Sequence, residues 1–152
     1  MAINRVNLAS DLYDETTFYP AFISDLAHSK NEIIIESPYI TAKRMILLMP
    51  VIEKAVNNGV AVYVLTRDPR AHTNMMIAEA EAIIEQFEAI GVHVFLCTGN
   101  DHRKLAIIDR NVLWEGSLNI LSQTNSREIM RRIVGHAYTQ DVFNFLQLDR
   151  YL

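Results

Sequence analysis

Residues 100–120 read Asn-Asp-His-Arg-Lys-Leu-Ala-Ile-Ile-Asp-Arg-Asn-Val-Leu-Trp-Glu-Gly-Ser-Leu-Asn-Ile, and their reading decides the fold. Two short apolar runs, Leu105 to Ile108 and Val112 to Trp114, suit buried strands. Asp109-Arg110-Asn111 between them reads as a tight turn, so the runs pair as a hairpin. Alternate side chains of an extended segment share a face, which puts His102 beside Lys104 and Ser117 beside Asn119. A nucleophile or base, a cation and two small hydrogen-bonding side chains then converge on one spot. Such a set suits a phosphate.

Outward from this stretch the pattern alternates. Arg5 to Tyr13 is open between an edge strand and an arm. Thr16 or Thr17 caps a helix carrying Phe18, Phe22, Ile23 and Leu26 on one face. Asn31 to Pro38, with Ile33, Ile34 and Ile35, reads as a strand buried on both faces. A helix follows from Thr41 to about Asn58, with Met45, Leu48, Ile52 and Val56 inward, and Val60 to Leu65 is the next strand. A second long helix spans Asn74 to Ile90, and Val92 to Leu96 reads as another buried strand. Strand, helix, strand, helix, strand at this spacing predicts parallel pairing. Downstream, Ile120 to Ser126 is a loop or short turn, and Glu128 to Val134 fits a strand or a helix. Ala137 to Leu148 closes the chain as a helix with Val142, Phe145 and Leu148 inward. The expected fold class is α/β, a mixed, largely parallel central sheet with helices on both faces, in one domain over residues 1–152.

Composition narrows the function. No apolar run approaches the ~18 residues of a membrane span, and Met1 to Ser10 lacks the pattern of a secretory signal. Neither a membrane partner nor a leader is expected. One cysteine, Cys97, cannot form an internal disulfide, which fits a reducing cytoplasm, and it reads as a buried strand residue rather than a nucleophile. The net charge of −4 is unevenly spread. Residues 1–100 carry 7 bases and 12 acids, while 101–135 carry 6 bases and 4 acids, so the motif region is locally cationic. Chain spacing shows no Asp/Glu/His cluster suited to a metal, and neither metal nor cofactor is expected.

The order His-x-Lys, four residues, Asp, six residues, Gly-Ser-x-Asn resembles the phospholipase D superfamily, with every position filled. The lead-in Asp14 to Tyr19 and the run Ile33 to Tyr39 are similar to phospholipase-D-like nuclease modules, some fused to helicases. The resemblance implies a phospholipase-D-like half-unit with a strand at 128–134. It also implies a phosphodiesterase acting through a phosphohistidine. Relatives with two such motifs join them across a pseudo-twofold axis. One motif here implies a homodimer that brings two copies of His102 to one phosphate. The implied site residues are His102, Lys104, Ser117, Asn119 and Glu128, the last because the family places a glutamate after Ser-x-Asn. Glu128 is expected to orient an imidazole. DNA is the first expected substrate and RNA the second. The alternatives are a phospholipid phosphodiesterase, and an idle nucleic-acid-binding dimer module serving a helicase or restriction partner.

Several residues have plainer readings. His28-Ser29-Lys30 is a second His-x-Lys, but nothing follows at the right spacing, so it reads as a solvated helix end. Asp109 reads as a turn residue, Gly116 as a site of close backbone approach, and Trp114 as core. His93 and His136 read as structural or exposed. Arg103, Arg110, Arg127 and Arg132 either line a groove or solvate the surface.

Overall fold

The computed structural model describes residues 9–71, 74–123 and 125–152. The part of Arg5 to Tyr13 before residue 9 lies outside the described residues. Among those described, seven strands form one sheet in the order β1-β7-β6-β5-β2-β3-β4. These are β1 (Ala9–Asp14), β2 (Glu32–Glu36), β3 (Ala61–Arg67), β4 (His93–Cys97), β5 (Leu105–Ile108), β6 (Val112–Gly116) and β7 (Ile129–Val134). The helices are α1 (Phe18–Ala27), α2 (Ala42–Asn57), α3 (Asn74–Ile90) and α4 (His136–Phe145).

The apolar pattern sorts the layers. Ile33 and Ile35 of β2 pack with Val62, Val64, Ala106 and Trp114 against Phe22 of α1, Leu48 of α2 and Phe87 of α3. Ile34, one residue out of phase, faces the other way with Leu65, Ile107, Leu113 and Ile133, beneath Phe143 of α4. The period of two along each strand thus feeds two cores, one under three helices and one under a single helix. Trp114 is fully buried among Phe18, Phe22 and Tyr13, and its indole N–H donates to Asp25 at 2.8 Å. Burying a ring of that size contributes on the order of 2–3 kcal/mol.

The sheet is mixed, as expected, but it is not largely parallel. The β2-β3 and β3-β4 pairings are parallel, and the other four are antiparallel. The hairpin enters beside β2 in the opposite sense, and β7 and β1 then add alternately. Two further expectations fail. β4 is an outer strand with half-covered side chains, because β3 alone flanks it. α4 ends at Phe145, which is 86% exposed, and Phe143 points inward instead. Leu148 is buried, but it belongs to a 3-10 turn that follows the left-handed Gln147. Thr17 occupies the cap position of α1, yet its hydroxyl bonds Asp14 rather than the helix.

Candidate active site

One end of the sheet gathers the motif. The parallel strands β2, β3 and β4 finish there, antiparallel β5 begins there, β6 finishes there and β7 begins there. His102 is exposed on the irregular segment leading into β5. The Lys104 ammonium folds back to donate to the His102 carbonyl oxygen at 2.6 Å, which fixes a cation beside the histidine backbone. The amide of Gly116 reaches the Lys104 carbonyl at 3.4 Å, joining the two halves of the motif.

Gly116 is there for space. A Cβ on it would stand 2.1 Å from the Ile129 carbonyl oxygen, so only glycine lets β6 close on β7 at this point. That approach sets Ser117 against Glu128. The Ser117 hydroxyl donates to one Glu128 carboxylate oxygen in a short hydrogen bond and accepts the Ile129 amide at 3.0 Å. The Ser126 hydroxyl donates to the other oxygen at 2.6 Å. These hydroxyls, Ser117 first, lower the Glu128 pKa, and Lys104 adds a smaller pull in the same direction. Glu128 is therefore held as an anion close to Lys104. Asn119 is half-buried, and its buried Oδ1 has no hydrogen-bond partner among the described residues.

The loop carrying Asn119 is strapped from the N-terminal half. The Tyr19 hydroxyl donates to the Ile120 carbonyl at 2.8 Å, and burial pushes its pKa up to about 12, so it stays a donor. The Ser37 hydroxyl accepts the Leu121 amide at 3.1 Å, and the Thr41 hydroxyl accepts the Gln123 amide at 2.9 Å. Glu15 takes the Glu128 amide at 3.0 Å. Glu15 and Tyr19 lie in the lead-in and Ser37 in the run Ile33 to Tyr39 that the resemblance covers, but no spacing assigned any of them, or Thr41, to this loop.

Asp109 belongs elsewhere. It sits in the β5-β6 turn, at the far end of β5, with φ 53°, and Arg110 follows at 52°. Its carboxylate accepts the amides of Lys30, Asn31 and Glu32 at 2.9, 2.7 and 3.0 Å, pinning the entrance to β2. Arg110 pairs with Glu32, and Arg132 pairs with Asp25 at 2.8 Å, so these two arginines are spent inside the fold. Arg127 is exposed. His28 sits at the end of α1 with Nδ1 against the Ser24 carbonyl, His93 stacks on Tyr63, and His136 meets the Arg110 carbonyl.

The fold also assembles a group that sequence spacing hides. Glu36, Cys97 and Asp101 meet beside Arg103, and their ligand atoms are close enough to hold a metal ion. Desolvation raises the Glu36 pKa to about 7 and the Cys97 pKa to about 12. On the α4 side a groove of about 600 Å³ opens next to Lys104 and Gly116, walled by Leu12, Ile129, Val142 and Phe145.

Comparison with solved structures agrees with the fold. The Nuc protein of Salmonella typhimurium, a phospholipase D family member, superposes with a TM-score of 0.75 at 18% identity, each chain covering 92% of the other. NucT from Helicobacter pylori gives 0.72 at 16% identity, over 92% of this chain and 94% of its own. A phosphatidylserine synthase from Haemophilus influenzae gives 0.69 at 14% identity, over 95% of this chain but 38% of its own. No curated protein matches the sequence. The family model described as "Cardiolipin synthase, PLD-like domain" matches residues 22–146, and the chain therefore belongs to this phospholipase-D-like family.

Proposed function

We propose that the chain is a phosphodiesterase that cleaves nucleic acid, DNA first and RNA second, without a catalytic metal. The observation that carries this reading is the gathering of Ser117 and an ionised Glu128 around Lys104, whose ammonium is anchored on the backbone carbonyl of the exposed His102. A ring nitrogen of His102 attacks phosphorus, a P–N bond forms, and the P–O bond to the leaving strand breaks. His102 of a second copy gives that oxygen its proton. The same imidazole then takes a proton from water, the hydroxide attacks phosphorus, and the P–N bond breaks. Lys104 and Asn119 from each copy oppose the charge on the non-bridging oxygens, where one such donor is worth about 3 kcal/mol. Glu128, kept anionic by its two serines, fixes the tautomer of an imidazole.

The second copy is supported by the groove. Leu12, Ile129 and Phe145 are 57%, 55% and 86% exposed beside Lys104, an apolar rim where a twofold-related chain would seat. A helicase or restriction protein would use the same substrate and suits the role of outside partner. Phospholipid hydrolysis is the second reading, favoured by the description of the family model. Among the described residues no helix is long and apolar enough to cross a membrane.

The test follows a labelled oligonucleotide in excess chelator. Wild type is expected to cleave it and to carry an acid-labile, alkali-stable phosphate adduct, while His102→Ala does neither. Equal behaviour of the two proteins defeats the reading. Headgroup release from phospholipid vesicles, with the oligonucleotide left intact, would put the lipid reading first.

A further inference from the structure

Glu36 meets Cys97 and Asp101, some sixty residues further on, where two strands end. Glu36 closes β2, Cys97 closes β4, and Asp101 immediately precedes His102. One ligand atom from each, a carboxylate oxygen or the thiol sulfur, lies within 4.8 Å of the other two. Glu36 is 1% exposed. Its Oε1 takes the Arg103 Nε at 2.9 Å, while the buried Oε2 takes no N–H or hydroxyl donor among the described residues. The buried carboxylate faces a thiol and a second carboxylate, and such a cluster is held together either by a proton shared between the two carboxyl groups or by a bound cation. Fully ionised, the three groups against the Arg103 guanidinium leave two negative charges. That is the charge a divalent cation cancels.

We propose that Glu36, Cys97 and Asp101 form a binding site for a divalent transition metal, zinc or a zinc-like ion. Two carboxylate oxygens and one thiolate supply three ligands, and a fourth position stays open. The thiolate favours zinc and its neighbours over magnesium and calcium, which take oxygen ligands. Two of the three ligands, Cys97 and Asp101, line a cavity of about 500 Å³ with Thr98, Asn100 and Tyr151, which has room for a water ligand. Binding displaces the thiol proton and the proton otherwise held by the carboxyl pair, and both go to solvent. The ion stands outside the phosphate chemistry, and the site does not rest on that reading. Its effect is mechanical, tying the residue before His102 to the ends of β2 and β4.

Cobalt(II) added to reduced, metal-free protein is the probe. One equivalent is expected to bind with a thiolate-to-cobalt charge-transfer band that zinc bleaches. Cys97→Ser should abolish the band, and Glu36→Gln and Asp101→Asn should each weaken binding about tenfold or more. Far-UV circular dichroism identifies any variant that has lost its fold. On wild type, zinc should slow amide exchange across residues 100–104. A folded wild type with no charge-transfer band at excess cobalt overturns the site. So does a band whose affinity survives unchanged in both folded carboxylate variants.

Discussion

Ser117 joins the site to the sheet. Its hydroxyl donates to Glu128 and accepts the Ile129 amide, while its own amide reaches the Ile129 carbonyl at 2.9 Å. Glu128 owes its lowered pKa first to this hydroxyl. A carboxylate with a depressed folded value stabilises the protein above its unfolded pKa, and that contribution is lost as pH falls through the folded one. Ser117→Ala should therefore raise the Glu128 pKa and move the acid-side loss of its contribution to higher pH. Carbon-13 titration of the side-chain carboxyl reads this directly, and an unmoved titration contradicts the assignment. At this scale the approach of Lys104 and Ser117 was legible from their spacing on adjacent strand ends, whereas Glu128 was expected from the family resemblance alone. The partners of Asp101 were not legible. Glu36 ends β2, whose register against β5 no local pattern encodes, and Cys97 ends β4, which β3 separates from β2. Asp109 carries the opposite lesson, since the structure gives this motif position a turn and three backbone amides to hold.

The β5-β6 hairpin is the element on which the site is mounted. Its turn places Asp109 and Arg110 at positive φ, and the Asn111 amide closes it onto the Ile108 carbonyl at 3.0 Å. Three amides from the entrance to β2 end on the Asp109 carboxylate. Asp109→Ala should cost about 1–2 kcal/mol in urea unfolding, since a charged acceptor for three largely exposed amides is lost. Turnover of the folded fraction should not change. Equal loss of turnover with unaltered stability would show that the residue acts in the chemistry instead. Helices α1 to α3 were readable from their apolar period, and the hairpin from its turn chemistry. The burial of β4 was not, because apolar content does not reveal whether a strand is flanked on one side or two. Phe145 was misjudged for a related reason. A ten-residue helix has few turns with which to define a face, and Thr139 and Phe143 took it.

For the whole molecule, the asymmetry of the two faces matters most. Three helices cover one side, and one short helix covers the other, leaving the apolar groove beside Lys104 open. Phe145→Glu should convert a dimer to monomers in sedimentation and abolish cleavage, with the thermal transition of the isolated chain preserved. A monomeric variant that still cuts at the wild-type rate would remove the shared site. The mixed character of the sheet was foreseen, but its predominantly antiparallel pairing was not. The sense of β5 against β2 depends on where the chain re-enters, and the 98–104 segment gives no local sign of it.

β1 and β7 lie side by side, although nearly the whole chain separates them. During synthesis the early strand has nothing to hydrogen-bond until its late neighbour leaves the ribosome, a delay of several seconds at about 5–20 residues per second. Through that interval the hydrophobic Tyr13 and the Trp114 surface it will cover wait apart, and the nascent chain is most exposed to chaperones and to misassembly. The last strand to emerge is thus the one that lets the first be placed.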